Sequence, residues 1–310
     1  MMTQANRPCD EGGWKRGVLC AAVFLAFLTL YAVTAQRGVS WQDSGIFQHR
    51  VLTGTFTPLG GGGLAVVHPW YLTFARLFCL CFPAPLRLYA VNLFSGVGLA
   101  VAVSLLAMLV CRLTRQRAAA VAAAVTLGFA QMAWWLATIA EVYTWSLAFL
   151  FAELLCLLQV CEEDRLGRRT AWWCALLAVN GAHASLHNVA LLNLPVYAVL
   201  WVFQVCQGRW RAGRLIGLAC GCAISWLVGA AELISILIKD FQESQSILAS
   251  MGSLLVGTSY GGAVLGTHAG NVRLALQNLA LSGCSFLNPC WLLALRAARS
   301  DQSHQCWPLP

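Results

Sequence analysis

Charged residues are scarce in this 310-residue sequence: Asp, Glu, Lys and Arg together make up only 10% of it. An ordinary globular domain contains about 25% of these residues. Hydrophobic residues make up 59%, and the mean hydropathy is +0.69. A water-soluble core cannot hide this much apolar surface, so the scarcity of charge excludes a soluble globular protein and indicates a membrane protein.

Other absences exclude further classes. The apolar runs do not alternate with polar residues as the strands of a membrane β-barrel would. The net charge is +8, but no basic run is interleaved with exposed aromatic residues, so we expect no nucleic-acid partner. The fourteen cysteines lie mostly inside apolar runs. Cys79-Leu80-Cys81 and Cys220-Gly221-Cys222 lack the spacing of zinc ligands, so neither a metal site nor a disulfide framework is predicted.

The continuous apolar runs predict an all-α, polytopic transmembrane protein, because a helix satisfies its own backbone hydrogen bonds in lipid. About 20 residues are needed to cross a hydrocarbon layer of about 30 Å. The interrupted stretch Leu64–Phe82 contains His68-Pro69 and Arg76, and it is predicted as a re-entrant or interfacial helix. About eight spans are predicted, at Gly17–Ala35, Leu88–Cys111, Ala118–Ala137, Ala140–Val160, Ala171–His187, Val189–Val205, Leu215–Ile238 and Leu274–Leu295.

Arginine residues recur in every second loop, and cytoplasmic loops of membrane proteins are enriched in Arg and Lys. This bias predicts a cytoplasmic N-terminus, residues 1–16, followed by a transmembrane module, residues 17–296, and a disordered tail, residues 297–310. Two outer loops are expected, at 36–87 and 239–273. The composition, rich in Ala, Gly and Arg and poor in Lys, favours a bacterial inner membrane; in a eukaryote the expected location is the endoplasmic reticulum membrane.

The remaining polar residues collect at the outer ends of the predicted spans, and ionisable groups at membrane depth are usually functional. Asp43-Ser44-Gly45 is a turn sequence, so Asp43 has two interpretations. It is either the first residue of a structural Asx-turn or a general base that takes a proton from an acceptor hydroxyl. Glu141 is either an acid favoured near a helix N-terminus or a contact to sugar hydroxyls or to a cationic partner.

The histidines of the outer face also have alternative interpretations. His183 and His187 are spaced to share a helix face, but a third metal ligand is not evident. They are therefore capping or packing residues, or contacts to phosphate or substrate. His68 precedes Pro69, which favours an extended backbone and would direct the histidine into a cavity. His49, Arg50 and Arg76 are candidates for a phosphate clamp or are simply solvated. Gly60–Gly63 lacks the Lys and Ser/Thr of a Walker loop and is predicted to be a flexible lid.

Four motifs occur together over about Val18–Pro195: Trp41-Gln42-Asp43-Ser44-Gly45, His68-Pro69, Ala140-Glu141-Val142-Tyr143 and Gly181–Asn188. With these motifs the chain is similar to the GT-C superfamily of integral-membrane glycosyltransferases. Within it, the chain resembles the domain-of-unknown-function family that includes the luminal protein O-mannosyltransferase of IPT domains.

The resemblance implies transfer of a sugar such as mannose, with inversion, from a polyprenyl-phosphate donor to a hydroxyl of a protein or glycan acceptor on the outer face. It implies no cofactor and no metal, and its partners are the lipid bilayer, the lipid-linked sugar and the acceptor. Asp43 matches the catalytic acid of the first outer loop. The expected substrate-binding residues are Gln42, Ser44, His49, Arg50, His68, Glu141, Tyr143, His183, His187 and Lys239.

The chain also departs from the family pattern. Trp70-Tyr71 follows His68-Pro69 where many relatives have Pro-Gly, and family members are usually longer. A short member, a truncated member and an inactive remnant are all compatible with this. Two other functions remain as alternatives. A transporter or flippase would be indicated by paired mid-span helix breaks and inverted repeats, neither of which is evident in the sequence. A non-catalytic assembly protein would use the same polar face to bind a partner.

Overall fold

Long apolar helices dominate the computed structural model, which describes residues 11–56, 64–210, 212–244 and 246–255. Four helical segments in these ranges are long and apolar enough to cross a membrane: Arg16–Thr34, Ala84–Thr114, Tyr143–Glu162 and Asn188–Cys206. Two further pairs qualify when each bent pair is taken as one span, which gives up to six. The predicted all-α polytopic membrane fold is confirmed.

Twelve α-helices occur in the described residues, with short 3-10 turns at Leu64–Val66, Ala84–Leu86 and Asn188–Asn193. In chain order they are α1 (Glu11–Thr34), α2 (Gln42–Thr53), α3 (Pro69–Leu80), α4 (Arg87–Thr114), α5 (Arg117–Gly128), α6 (Gln131–Thr138), α7 (Tyr143–Glu162), α8 (Leu166–Leu186), α9 (Leu194–Cys206), α10 (Ala212–Gly229), α11 (Ala231–Ser244) and α12 (Ile247–Leu255).

Seven of the eight predicted spans fall within the described residues, and four of them correspond to long apolar helical segments, those containing α1, α4, α7 and α9. The predicted span Ala118–Ala137 is instead two helices, α5 and α6, bent by 63°. The predicted span Leu215–Ile238 is α10 and α11, bent by 75°. These two bends were not evident in the sequence. The span at Leu274–Leu295, the tail 297–310, the Gly60–Gly63 segment and most of the loop 239–273 lie outside the described residues.

The predicted span Ala171–His187 corresponds to α8, which is 21 residues long but is not among the segments apolar enough to qualify as a span. Its polar residues Arg169, Asn180 and His183 lower its hydropathy, and all three are buried against other parts of the protein. Polar residues at membrane depth are expected to face the interior of a helical bundle and to find partners there. The low hydropathy of α8 therefore reflects interior contacts.

The segment predicted as a polar outer loop contains a helix. α2 begins at Gln42, so Asp43-Ser44-Gly45 forms the first turn of a helix and not an isolated Asx-turn. Its buried residues include Ser44, Phe47, Gln48 and Val51, which share one face at the spacing of an amphipathic helix. A short apolar helix follows as predicted: α3 has 12 residues, so its length is about 18 Å and it is too short to cross a bilayer.

The two ends of the helical unit differ in chemistry. At one end, the main chain after α1 contacts the end of α6, because the Gln36 amide donates to the Thr138 carbonyl at 2.9 Å. At the other end, the Arg112 side chain of α4 pairs with Glu162 of α7. Arg169 of α8 donates to the Glu163 carbonyl at 2.8 Å and to the Arg209 carbonyl at 3.2 Å. The arginines of the predicted inner loops thus lie at the end opposite to Asp43 and Glu141.

An apolar cluster supports the end that holds Asp43 and Glu141. It brings together Phe47 of α2, Val67, Tyr71 of α3, Val142 and Leu186 of α8, all of them buried. These residues come from segments far apart in sequence, and burial of such side chains is worth about 1.5–3 kcal/mol each. The cluster fixes the relative positions of α2, α3, α7 and α8 next to the polar residues of the same end.

Candidate functional site

Two acidic side chains approach each other where α2 meets the break between α6 and α7. Ser44 in the first turn of α2 donates a hydrogen bond of 2.8 Å to Oε1 of Glu141. Burial raises the pKa of Glu141, the Ser44 hydrogen bond opposes this, and the charge of Asp43 raises it further. Asp43 is exposed and Glu141 is buried. The pair thus combines a carboxyl group exposed to solvent, Asp43, with a buried one, Glu141.

A buried serine holds the backbone of Glu141 in place. Oγ of Ser95 on α4 accepts from the Glu141 amide at 2.8 Å and donates to the Glu141 carbonyl at 3.0 Å. Because the single hydroxyl proton of Ser95 is used there, the Tyr71 hydroxyl is the donor in its 3.0 Å hydrogen bond with Ser95. These bonds satisfy backbone groups that the break at Ile139–Val142 leaves outside a helix, so the position of Glu141 is set by α3 and α4 together.

Amide side chains anchor α2 to α1 and α4. Gln48 donates to Oδ1 of Asn92 at 2.8 Å and accepts from the Ser40 amide at 2.9 Å. Asn92 in turn donates to the Gln36 carbonyl at 2.7 Å. Ser40, Gln48 and Asn92 are buried, and none of these residues was predicted as a site residue. Gln48 lies on the same face of α2 as Ser44. Their spacing would have indicated that they belong together if this segment had been predicted as a helix.

His68 adopts a left-handed backbone conformation, with φ 52° and ψ 55°, and not the extended one predicted from the following proline. Such a conformation is strained for a residue other than glycine, and it persists only where the surroundings enforce it. Here Nδ1 of His68 lies 2.8 Å from the Leu186 carbonyl. The ring packs against Phe47, with a centroid distance of 5.5 Å. These tertiary contacts with α2 and α8 account for the strained conformation.

His68 and His187 form a ring pair with centroids 5.1 Å apart. Burial lowers the pKa of His68 to about 3, with further contributions from His187 and Arg50. Burial also lowers the pKa of His187. Both rings are therefore neutral at pH 7, and their hydrogen bonds assign the tautomers. A carbonyl can only accept, so His68 carries its proton on Nδ1 and Nε2 is an acceptor.

His187 has the complementary tautomer. Its Nδ1 accepts from the Val189 amide at 3.2 Å, so the proton lies on Nε2, which is a donor. The ring of Tyr143 packs against the same histidine, with centroids 5.6 Å apart, while Tyr143 itself is half exposed at the start of α7. The pair therefore offers one acceptor and one donor without net charge.

Arg50 is a buried cation of this region and is only 2% exposed. Its Nη1 donates to the Val66 carbonyl at 2.9 Å. Burial lowers the pKa of Arg50, and the charge of Asp43 opposes this. Within the described residues, Nε of Arg50 has no hydrogen-bond partner. A buried guanidinium group with an unsatisfied donor is costly, and an anionic group bound beside it would relieve the cost.

The predicted site residues thus separate into groups. Asp43, Ser44, Arg50, His68, Glu141, Tyr143 and His187 are linked through the contacts and charge interactions given above, and we call these seven residues the outer cluster. Gln42 and His49 are exposed on α2 beside them. Lys239 is exposed on α11, and no hydrogen bond or ion pair within the described residues joins it to the outer cluster. His183 points into the interior: although it is four residues from His187, the two side chains diverge because α8 ends at Leu186.

The interior partner of His183 is Glu153 of α7, which is fully buried. Its Oε1 lies 2.7 Å from Nδ1 of His183. The sequence predicts no role for Glu153, although a carboxylate in the middle of an apolar helix is itself a signal of a polar interior. Within the described residues, no group of three His, Cys, Asp or Glu side chains is arranged to hold a metal ion.

Comparison with known proteins gives a family match. Residues 64–210 match the family model described as Protein O-mannosyl-transferase TMEM260 N-terminal domain. This segment is similar to that family. The resemblance found in the sequence is therefore confirmed, and the matched segment contains His68, Glu141, Tyr143 and His187. Asp43 and Arg50 lie before it.

One curated relative extends the comparison. The Protein O-mannosyl-transferase TMEM260 of Mus musculus is 29% identical over 198 residues, which is 62% of this chain and 26% of the mouse protein. The alignment thus spans about a quarter of the relative's length. No solved structure matches the chain. The TMEM260 likeness consequently extends over the helices that build most of the outer cluster.

Proposed function

We propose that the chain is a membrane glycosyltransferase that transfers a sugar from a polyprenyl-phosphate donor to a hydroxyl group of a protein or glycan acceptor. The observation that carries the proposal is the outer cluster. It combines an exposed carboxylate, Asp43, with a sheltered one, Glu141, and a buried cation, Arg50, at one end of a helical membrane protein. The O-mannosyl-transferase name of the mouse relative supports mannose as the sugar.

Arg50 is the proposed ligand of the donor phosphate. Its guanidinium group is held at Nη1 by the Val66 carbonyl, and its Nε is an unused donor among the described atoms. Arginine binds phosphate through charge-assisted hydrogen bonds that are about twice as strong as neutral ones. His187, with its proton on Nε2, is a second donor for the phosphate or the sugar. The polyprenyl chain of such a donor would remain in the bilayer, so a soluble nucleotide site is not required.

Asp43 is the proposed general base. In the reaction, its carboxylate takes the proton of the acceptor hydroxyl while the hydroxyl oxygen attacks C1 of the sugar. The bond between C1 and the phosphate oxygen breaks, and polyprenyl phosphate leaves with the bonding electrons, its charge stabilised by Arg50. Direct displacement by the acceptor inverts the configuration at C1. The acceptor nitrogen of His68 and the carboxyl group of Glu141 are suited to bind sugar hydroxyls.

The proposed orientation has the outer cluster facing the periplasm or the lumen of the endoplasmic reticulum. The support for it is the chemistry of the two ends: Arg112, Arg169 and Arg209 lie at the end opposite to the outer cluster. Arginine-rich ends face the cytoplasm in most membrane proteins. Lipid-linked sugars presented on the far side of the membrane would reach the cluster there.

The experiment measures transfer in membranes containing the wild-type chain or the Asp43→Asn variant, with a radiolabelled polyprenyl-phosphate mannose and a peptide acceptor. Removal of a general base is expected to lower the rate roughly 10²–10⁴-fold. The matched control is Asp164→Asn, which removes an exposed carboxylate at the opposite end, near Arg209. Transfer by Asp43→Asn at the wild-type rate would rule out the proposed base, and absence of transfer by the wild-type chain would contradict the enzyme itself.

A transporter or flippase remains the second candidate, because the described residues contain two helix pairs bent by 63° and 75°. Broken helices in transporters expose backbone groups to a substrate. Here the backbone at the first break is hydrogen-bonded within the protein, since the Tyr31 hydroxyl of α1 donates to the Gly128 carbonyl at 2.9 Å. At the second break, the Ala230 amide donates to the Trp226 carbonyl at 2.8 Å. Movement of labelled lipid-linked sugar across proteoliposomes without transfer to acceptor would favour the transporter.

A further inference from the structure

The carboxylate of Glu153 is enclosed by hydrogen-bond donors in the middle of α7. Its position is about 15 Å along the helix axis from Tyr143, at a rise of 1.5 Å per residue. Asn193 donates to its Oε2 at 2.9 Å, and the Tyr197 hydroxyl donates to the same oxygen. Asn180 donates to its Oε1 at 3.3 Å, beside His183. The donors come from α8, from the 3-10 turn before α9 and from α9, so this carboxylate joins three segments.

This arrangement determines the hydrogen-bonding state of His183. Because the partners of Glu153 are donors, the carboxylate acts as the acceptor and Nδ1 of His183 carries a proton. In the neutral ring this leaves Nε2 as the acceptor for the hydroxyl of Ser146, which lies at 2.7 Å. The ring of Phe149 stacks on His183 with centroids 5.7 Å apart. The rotamer and the tautomer of His183 are therefore both fixed from α7.

His183 lies in the last turn of α8, and this turn supports the histidine pair of the outer cluster. The His183 carbonyl accepts the His187 amide at 2.7 Å. The Leu186 carbonyl accepts from Nδ1 of His68 at 2.8 Å. A change in the position of His183 would thus be transmitted to both rings. Glu153 and His183 are therefore connected to the histidine pair through the last turn of α8.

We propose that Glu153 is a positioning residue for the outer cluster: through His183 it fixes the last turn of α8, on which the His68–His187 pair depends. The part that concerns activity rests on the proposed glycosyltransferase function. The geometric part does not, because the ring positions and tautomers can be measured in the resting protein. A displacement of about 1 Å at a reacting centre can lower a rate about 100-fold, so loss of this support is expected to lower transfer by about tenfold to 100-fold.

The test compares the wild-type chain with Glu153→Gln in two measurements. The first records the ¹⁵N resonances of labelled histidines in detergent micelles, assigned with single His variants. The expected result is a change of tautomer or position not only for His183 but also for His68 and His187. The second measures sugar transfer as above. The matched control is Glu162→Gln, which removes a carboxylate from the exposed end of the same helix and leaves both measurements unchanged.

A second variant guards against a folding defect. Tyr197→Phe removes one donor to Glu153 and keeps the ring, and it is expected to shift the same histidine signals by a smaller amount. Unchanged His68 and His187 resonances in the folded variants would overturn the proposal, because a local structural role for Glu153 would disturb His183 alone. Absence of transfer by the wild-type chain, with shifted resonances in the variants, would contradict the proposed function and leave the positioning role supported.

Discussion

Acidification is expected to destabilise this protein through His68, whose ring is held neutral. The folded-state pKa of His68 is lowered to about 3 from an ordinary value of 6.5, mainly by burial. Protons therefore bind the unfolded chain more readily than the folded one. The stabilising contribution of neutral His68 is fully present above pH 6.5 and is lost progressively as the pH falls towards 3.

The magnitude follows from the two pKa values. Each pKa unit corresponds to 1.36 kcal/mol, so lowering the pH from 7 to 5 removes about 2 kcal/mol of the free energy of unfolding through this one histidine. Part of the residue remains accessible, which makes this value an upper bound. The loss would continue below pH 5, where other groups titrate as well.

The assay is chemical unfolding in a non-ionic detergent between pH 5 and 7, with the wild-type chain and His68→Gln compared at each pH. The difference between their free energies of unfolding should shrink by up to about 2 kcal/mol as the pH falls, because only the wild-type chain loses the His68 contribution. His49→Gln, which removes an exposed histidine of α2, should follow the wild-type chain. Parallel curves for wild type and His68→Gln would refute the reasoning.

Two further predictions concern packing and hydrogen bonding, and both use the same unfolding assay. Ser44→Ala removes the hydrogen bond to buried Glu141 and should cost about 1–3 kcal/mol. Thr53→Ala at the exposed end of α2 should cost less than about 0.5 kcal/mol, and equal costs would contradict the role assigned to Ser44. Gly181→Ala would place a Cβ 2.3 Å from the Trp226 carbonyl oxygen, whereas a Cβ at Gly217 meets nothing within 4 Å. Gly181→Ala should therefore lower the free energy of unfolding by about 1–3 kcal/mol, and Gly217→Ala should leave it unchanged. A Gly181→Ala variant as stable as the wild-type chain would show that α8 and α10 can separate at little cost.

Much of the candidate site could be predicted from the sequence because membrane topology restricts where polar residues can lie. Asp43, His68 and Glu141 were expected near one another from the alternation of arginine-rich loops and from the family resemblance, and the structure brings them to one end. The helical state of α2 could also have been inferred, since Phe47, Gln48 and Val51 follow a helical period. The helix was not predicted because Asp43-Ser44-Gly45 was interpreted as a turn, although the same residue types also occur in the first turn of helices.

Other features could not be inferred from local pattern. His183 and His187 are spaced like residues on one helix face, but where α8 ends depends on the contacts of its last turn with His68 and Ser146. The strained backbone of His68 opposes the preference set by Pro69, and only the packing of α2 and α8 around it explains why it persists. Glu153 has no sequence neighbour that would reveal its partners, since the donors come from segments 27 to 44 residues away.

The amino-acid composition is enough to establish a helical membrane protein, because 59% hydrophobic and 10% charged residues in continuous apolar runs fit a bilayer and not water. The sequence also predicted that the candidate site lies at the helix ends opposite to the arginine-rich loops. The packing of the helices was needed to show that Arg50 is buried with an unused donor, that His68 and His187 are neutral with complementary tautomers, and that Glu153 supports them from the interior. These properties depend on distances between side chains of different helices. Helix packing sets those distances, and the spacing of residues along one helix does not determine them.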